Sequence, residues 1–191
     1  MERISQAIED IGSLCIADIF SPGKLWYAPV KMDWTTAPEF DPFGPMDRWG
    51  GYDEYGWFRC IFTIPAEADG KELWVEISQD KREWYAQNPQ FLLYCNEKPM
   101  QGLDLYHESC LLRKKAVSGE TLQLDFDAWA GMVTRGRTWS DKENRPGLFA
   151  IRFFTLEEDI QSFYYDIKTV YETAKYTDKE SERPQTAKNF K

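Results

Sequence analysis

Tyr55-Gly-Trp-Phe-Arg-Cys-Ile-Phe-Thr-Ile-Pro65 opens the stretch whose reading decides the fold. It continues as Gly70-Lys-Glu-Leu-Trp-Val-Glu-Ile77, then Phe91-Leu-Leu-Tyr-Cys-Asn-Glu-Lys-Pro-Met-Gln-Gly-Leu-Asp104, then Gly119-Glu-Thr-Leu-Gln-Leu-Asp-Phe-Asp-Ala-Trp-Ala-Gly131. Each block alternates apolar and less apolar residues and is bounded by Pro, Gly, Asn or Asp, the pattern of a half-buried strand and its turn. Successive strand side chains point to opposite faces. The alternation therefore predicts inward faces made of Phe58, Cys60, Phe62 and Ile64; of Leu73, Val75 and Ile77; of Phe91, Leu93 and Cys95; and of Leu122, Leu124, Phe126 and Ala128. Phe149, Ile151 and Phe153 add a later strand. Leu92 and Tyr94 make the third block apolar on its second face as well, which predicts a central strand covered on both sides. Five or more short strands joined by loops predict a mainly β chain folded as an antiparallel β-sandwich.

Outside that stretch the periodicity changes. Ile4, Ile8, Ile11, Cys15 and Ile19 recur at helical spacing and predict a helix from Glu2 to about Phe20, stopped by Ser21-Pro22-Gly23. Leu25 to Tyr55 is rich in Pro, Trp and Gly, which predicts an ordered extended segment wrapping the sandwich. After Leu156 the 3.6 period returns in Ile160, Phe163, Tyr164, Ile167, Val170, Tyr171 and Ala174, which predicts a helix from about Ile160 to Thr177 whose apolar stripe, including Phe163, Ile167, Val170 and Tyr171, must pack on a surface. Beyond about Asp178 the chain is expected to be loosely held. The domain organisation read from this is a helix and lead-in over 1–24, a sandwich over 25–156 and a helical linker over 157–191.

The 191 residues carry a formal charge of −9, which opposes binding to nucleic acid or to an anionic membrane surface. No segment has the roughly 20 apolar residues of a membrane span, and no leader pattern follows Met1, so the chain is expected to be cytoplasmic. Cys15, Cys60, Cys95 and Cys110 lack metal or redox spacing and read as buried reduced thiols.

Several blocks also resemble a known family. Trp57-Phe58-Arg59, Pro65, Gly70-Lys71, Tyr94-Cys95-Asn96 with Lys98-Pro99, Gln101-Gly102-Leu103-Asp104 with His107, Gly119-Glu120-Thr121-Leu122 and Ala130-Gly131 are similar to the amino-terminal β-sandwich domain of glycoside hydrolase family 38 α-mannosidases, of the bacterial and fungal vacuolar type. Phe163-Tyr164-Tyr165-Asp166 resembles the segment joining that domain to the catalytic one. Glu97 stands where such domains usually have Gly. The resemblance implies a galactose-binding-like jelly roll with flanking amino- and carboxy-terminal helices. It also implies that the zinc ion and nucleophile of the parent enzyme lie on a separate barrel. Neither a catalytic residue nor a cofactor is then expected in this chain, and its partners would be its own catalytic domain, an oligosaccharide or a second copy of itself.

The residues agree with that absence. His107 is the sole histidine, whereas zinc sites draw on several His or Cys ligands. It reads as a packed or hydrogen-bonded loop residue. Asp125 and Asp127 read as the solvent face of a strand. Two function classes stay open: a structural, cleft-shaping domain of an α-mannosidase, and a stand-alone carbohydrate-binding module or accessory domain of another glycosidase such as a β-galactosidase or rhamnosidase. Trp49, Trp84, Trp139 and Arg145 fall in loops and are the candidates for sugar stacking or interdomain contact. Trp57, Trp74 and Trp129 lie in or beside strands and read as packing aromatics.

Overall fold

The computed structural model describes residues 2–79, 89–131 and 147–181. The chain divides into two compact units, Asp18–Thr155 and a helical unit built from the two ends of the chain. The larger unit is the expected sandwich. Its strands are β1 (Ile16–Phe20), β2 (Leu25–Ala28), β3 (Asp41–Phe43), β4 (Tyr55–Thr63), β5 (Leu73–Gln79), β6 (Gln90–Cys95), β7 (Lys98–Leu103), β8 (Ser109–Arg113), β9 (Thr121–Trp129) and β10 (Phe149–Leu156). They form a four-stranded sheet in the order β1-β10-β5-β8 and a six-stranded sheet in the order β3-β2-β4-β9-β6-β7. Every pairing with a defined register is antiparallel.

The inward faces are those the alternation requires. Phe58, Cys60, Leu73, Val75, Ile77, Leu93, Leu122, Leu124, Phe126, Ala128 and Phe153 are fully buried. Aromatic contacts join the two sheets: Phe153 stacks on Phe62 with centroids 3.7 Å apart, and Phe149 sits 4.2 Å from Phe58, 5.0 Å from Phe91 and 5.6 Å from Phe126. Full burial of each such side chain is worth roughly 1.5–3 kcal/mol, so this layer dominates the stability of the unit.

Strand β6 departs from the expectation. It lies between β9 and the edge strand β7, and Leu92 is 37 % exposed, so its second face is only partly covered. Pro99 is tolerated because β7 is an edge strand, where a missing N–H breaks no second ladder. The two-residue turn before it places Asn96 at φ 49° and Glu97 at φ 64°, the left-handed pair that a tight hairpin needs.

At the amino terminus the helical periodicity overran. Helix α1 is Glu2–Ser13, and Ile16–Phe20 is strand, so Cys15 and Ile19 are not helical. The β-branched and aromatic residues of Ile16-Ala-Asp-Ile-Phe20 outweighed a spacing that matched by chance. Leu25 to Tyr55 is ordered as expected, and it contributes β2 and β3 to the sheet edge.

Helix α2 (Glu158–Ser181) packs against α1 within the helical unit. Gly12 makes the approach feasible, since a Cβ there would stand 2.9 Å from the ring of Tyr164. The covered stripe is Ile160, Tyr164, Ile167 and Tyr171. Phe163 and Val170, expected on it, are 54 % and 70 % exposed. The expectation for the segment beyond Asp178 falls largely outside the described residues.

Candidate functional site

The outer face of the six-stranded sheet divides into a covered part and an open one. Over the covered part runs the segment 29–40. Trp34 sets its ring edge-on to Trp57 and Tyr94 at 5.5 and 5.6 Å, and Phe40 meets Trp57 at 5.3 Å. Beneath them Asp125 is fully buried. Its Oδ1 accepts hydrogen bonds from Trp57 Nε1 and Arg59 Nε, both at 2.7 Å, and its Oδ2 accepts one from Gln123 Nε2 at 2.8 Å. The Arg59 guanidinium lies over the Phe40 and Trp57 rings, 4.8 and 5.0 Å from their centroids. Asp125 is thus not on a solvent face, as its alternation with apolar residues implied: a strap of chain covers that face, and the carboxylate is kept by three donors.

The open part is a cleft of about 470 Å³ lined by Tyr55, Gln90, Leu92, Gly102, Asp104, Asp127 and Trp129, with backbone from the neighbouring inward residues. Strand register brings these groups together. Tyr55 is paired with Trp129, Trp129 with Gln90, Asp127 with Leu92 and Leu92 with Gly102, so side chains from three adjacent strands and the bare backbone of Gly102 on a fourth converge on one patch. The floor is apolar and partly exposed: Tyr55 is 38 % and Leu92 37 % accessible. Trp129 is held in place by a 2.9 Å hydrogen bond from Nε1 to Asp53 Oδ1. Lys31 Nζ lies 5.2 Å from the centre of the Tyr55 ring.

Two carboxylates stand at the sides. Asp104 Oδ1 accepts the backbone N–H groups of Tyr106 and His107, each at 2.8 Å, and contacts His107 Nδ1 at 3.1 Å. The Tyr106 N–H, followed by the His107 groups, holds this carboxyl below its usual range, so it is charged near neutrality. Asp127 Oδ1 accepts the Met32 N–H at 3.3 Å, leaving capacity directed to the cleft. None of the described lining residues is basic.

Of the residues singled out from sequence, Trp49 is displaced from any ligand surface. It is 4 % exposed and packs on Phe58 and Phe91 at 5.2 and 5.4 Å, while its backbone exchanges two hydrogen bonds with Gly147. A Trp flanked by Gly and Pro read as a loop residue, but an isolated bridge anchors it in the core. Trp84, Trp139 and Arg145 lie outside the described residues. His107 is a hydrogen-bonded loop residue, and among the described residues no three His, Cys, Asp or Glu side chains gather as metal ligands. Sequence reading missed Tyr55, Leu92, Gly102, Asp104, Asp127 and Trp129 as a group. The alternation places most of them on the outer face, but only the order of strands β4, β9, β6 and β7 brings them together.

No protein-family model matches the sequence, and no curated protein does. Similar solved structures include a β-glucuronidase from Faecalibacterium prausnitzii (13 % identity, 73 % of this chain and 32 % of that one, TM-score 0.44). Others are one from Ruminococcus gnavus (13 %, 73 % and 29 %, 0.43) and one from Dictyoglomus thermophilum (7 %, 73 % and 28 %, 0.45). This chain spans about a third or less of the length of those proteins.

Proposed function

We propose that this chain is the non-catalytic amino-terminal β-sandwich domain of a glycoside hydrolase, of the family 38 α-mannosidase type, which supports the catalytic barrel and helps shape its substrate cleft. The observation that carries the reading is where the resembling motifs fall. Gly70, Gly119 and Gly131 stand at φ 75°, 84° and 84°, and Asn96 occupies the left-handed turn between β6 and β7. These are backbone positions that favour Gly or Asn for steric reasons, so the motif order is written into the turns of the sandwich and not into its composition. Of the Gln101-Gly102-Leu103-Asp104 run, the first three residues end edge strand β7, and Gly102, Leu103 and Asp104 form one wall of the cleft.

A decisive experiment uses the purified chain together with its complete coding sequence. Under this reading the chain alone does not turn over an aryl α-mannoside. The coding sequence continues into a barrel with clustered His and Asp residues, and the whole protein hydrolyses that substrate in a zinc-dependent manner. Hydrolysis of a different aryl glycoside by the whole protein would retain a glycosidase accessory domain and sink the α-mannosidase assignment. Chelator-sensitive turnover that follows the isolated chain through purification would overturn both.

A further inference from the structure

The cleft on the outer face of the six-stranded sheet has no part in the sandwich core, and the reading above assigns it no ligand. From its chemistry we infer that it binds one neutral hexopyranose unit and rejects uronic acids. The inference rests on the cleft alone and stands whether or not a catalytic barrel accompanies the chain.

Three features support it. The volume of about 470 Å³ lies within the roughly 300–1,000 Å³ usual for small-ligand sites. Its floor of Trp129, Tyr55 and Leu92 offers rigid, partly exposed apolar surface to the C–H face of a pyranose ring, and Trp129 is fixed by its bond to Asp53. Its sides present Asp104, Asp127 and Gln90, acceptors and an amide suited to equatorial and axial hydroxyls. The charge decides the class. A sugar carboxylate entering here would face the carboxylates of Asp104 and Asp127, while the Lys31 ammonium beside the cleft is engaged over the Tyr55 ring, in a chain of net charge −9.

The structure also supplies a clean way to close the cleft. A Cβ at Gly102 would meet nothing nearer than the Phe91 carbonyl oxygen at 4.0 Å, so a large side chain there projects into the open space without straining the sheet. The test is an amide and indole NMR titration of the full chain with methyl α-mannoside and methyl β-glucoside as neutral probes and methyl β-glucuronide as the charged one. The expected result is shifts confined to Leu92, Gly102 and the Trp129 indole N–H, with at least one neutral probe binding tenfold or more tightly than the glucuronide. Gly102→Phe should abolish those shifts while its remaining spectrum and melting temperature stay close to wild type. Asp127→Asn should narrow the preference by raising glucuronide affinity. Equal binding of the glucuronide, shifts that map elsewhere, undiminished binding in Gly102→Phe, or no binding of either neutral probe each overturns the inference. A negative result in this titration leaves the aryl α-mannoside assay untouched, so the two readings fail separately.

Discussion

Replacing Asp125 by Ala removes a carboxylate that is fully buried and holds three donors. The loss has two parts. Trp57 Nε1 is left without its acceptor on a side chain that is 2 % exposed, and a buried donor without a partner costs about 1–3 kcal/mol. Arg59, three-quarters covered between two aromatic rings, loses the anion that balances its charge. Breaking a buried ion pair from one side typically costs about 3–5 kcal/mol, and the two parts overlap because they share one atom, Oδ1. The expected loss is therefore about 3–5 kcal/mol, or roughly 6–20 °C in melting temperature for a chain of this size. Urea unfolding followed by tryptophan fluorescence measures it directly. Asp127→Ala is the control, because that carboxylate is partly exposed and makes one 3.3 Å bond, so it should cost about 1 kcal/mol or less. A loss below about 1 kcal/mol for Asp125→Ala, or equal losses for the two variants, would refute the claim that the strap seals a polar cluster in which each donor depends on one carboxylate.

Further outcomes follow from single positions. Glu97→Gly should stabilise the chain by up to about 1 kcal/mol in urea unfolding, since it relieves a left-handed residue at a small cost in unfolded-state entropy. Gly50→Ala should destabilise by about 2–4 kcal/mol, because φ is 69° and the new Cβ would stand 2.5 Å from that of Ala130. The hydrogen bond from Lys71 Nζ at 2.7 Å, aided by Thr155, holds the Asp18 carboxyl below its usual range. That contribution is present above the unfolded value of about 3.9 and is lost as pH falls through the lower folded value. Asp18→Asn should accordingly flatten the acid limb of the stability profile below about pH 4, by less than about 1 kcal/mol because the pair is partly exposed. All four cysteines are free and buried, and burial pushes the Cys60 thiol up to about 12. A thiol reagent at pH 8 should leave them unmodified in the native protein and label four per chain in denaturant.

What sequence could and could not disclose follows from which forces are local. The inward faces of β4, β5, β6, β9 and β10 were legible because period-two alternation reports a face that is buried along its whole length. The same alternation is silent on what covers the opposite face. Asp125 and Asp127 are two residues apart on one strand and look alike in sequence. Yet one is sealed under Trp34 and Phe40, while the other meets the 29–40 strap through the Met32 N–H and borders an open cleft. Trp49 and Trp129 show how the surroundings of a strand or loop residue escape a local reading. The first sits among turn formers but is drawn inward by Phe58 and Phe91. The second ends a strand whose register places it beside Tyr55 and Gln90 on the outer face. Such outcomes depend on non-neighbouring strands, β9 beside both β4 and β6, and strand order is a property of the whole chain. The helical ends show the complementary failure. A spacing of four carried the expected helix past Ser13 into a segment whose β-branched and aromatic residues complete a sheet, and in α2 Ile167 and Tyr171 are covered as expected while Phe163 and Val170 are exposed. Patterning therefore locates cores well and sites poorly. A core needs only that its own residues be apolar, while the cleft at Tyr55, Trp129 and Asp127 exists only because β4, β9, β6 and β7 lie side by side.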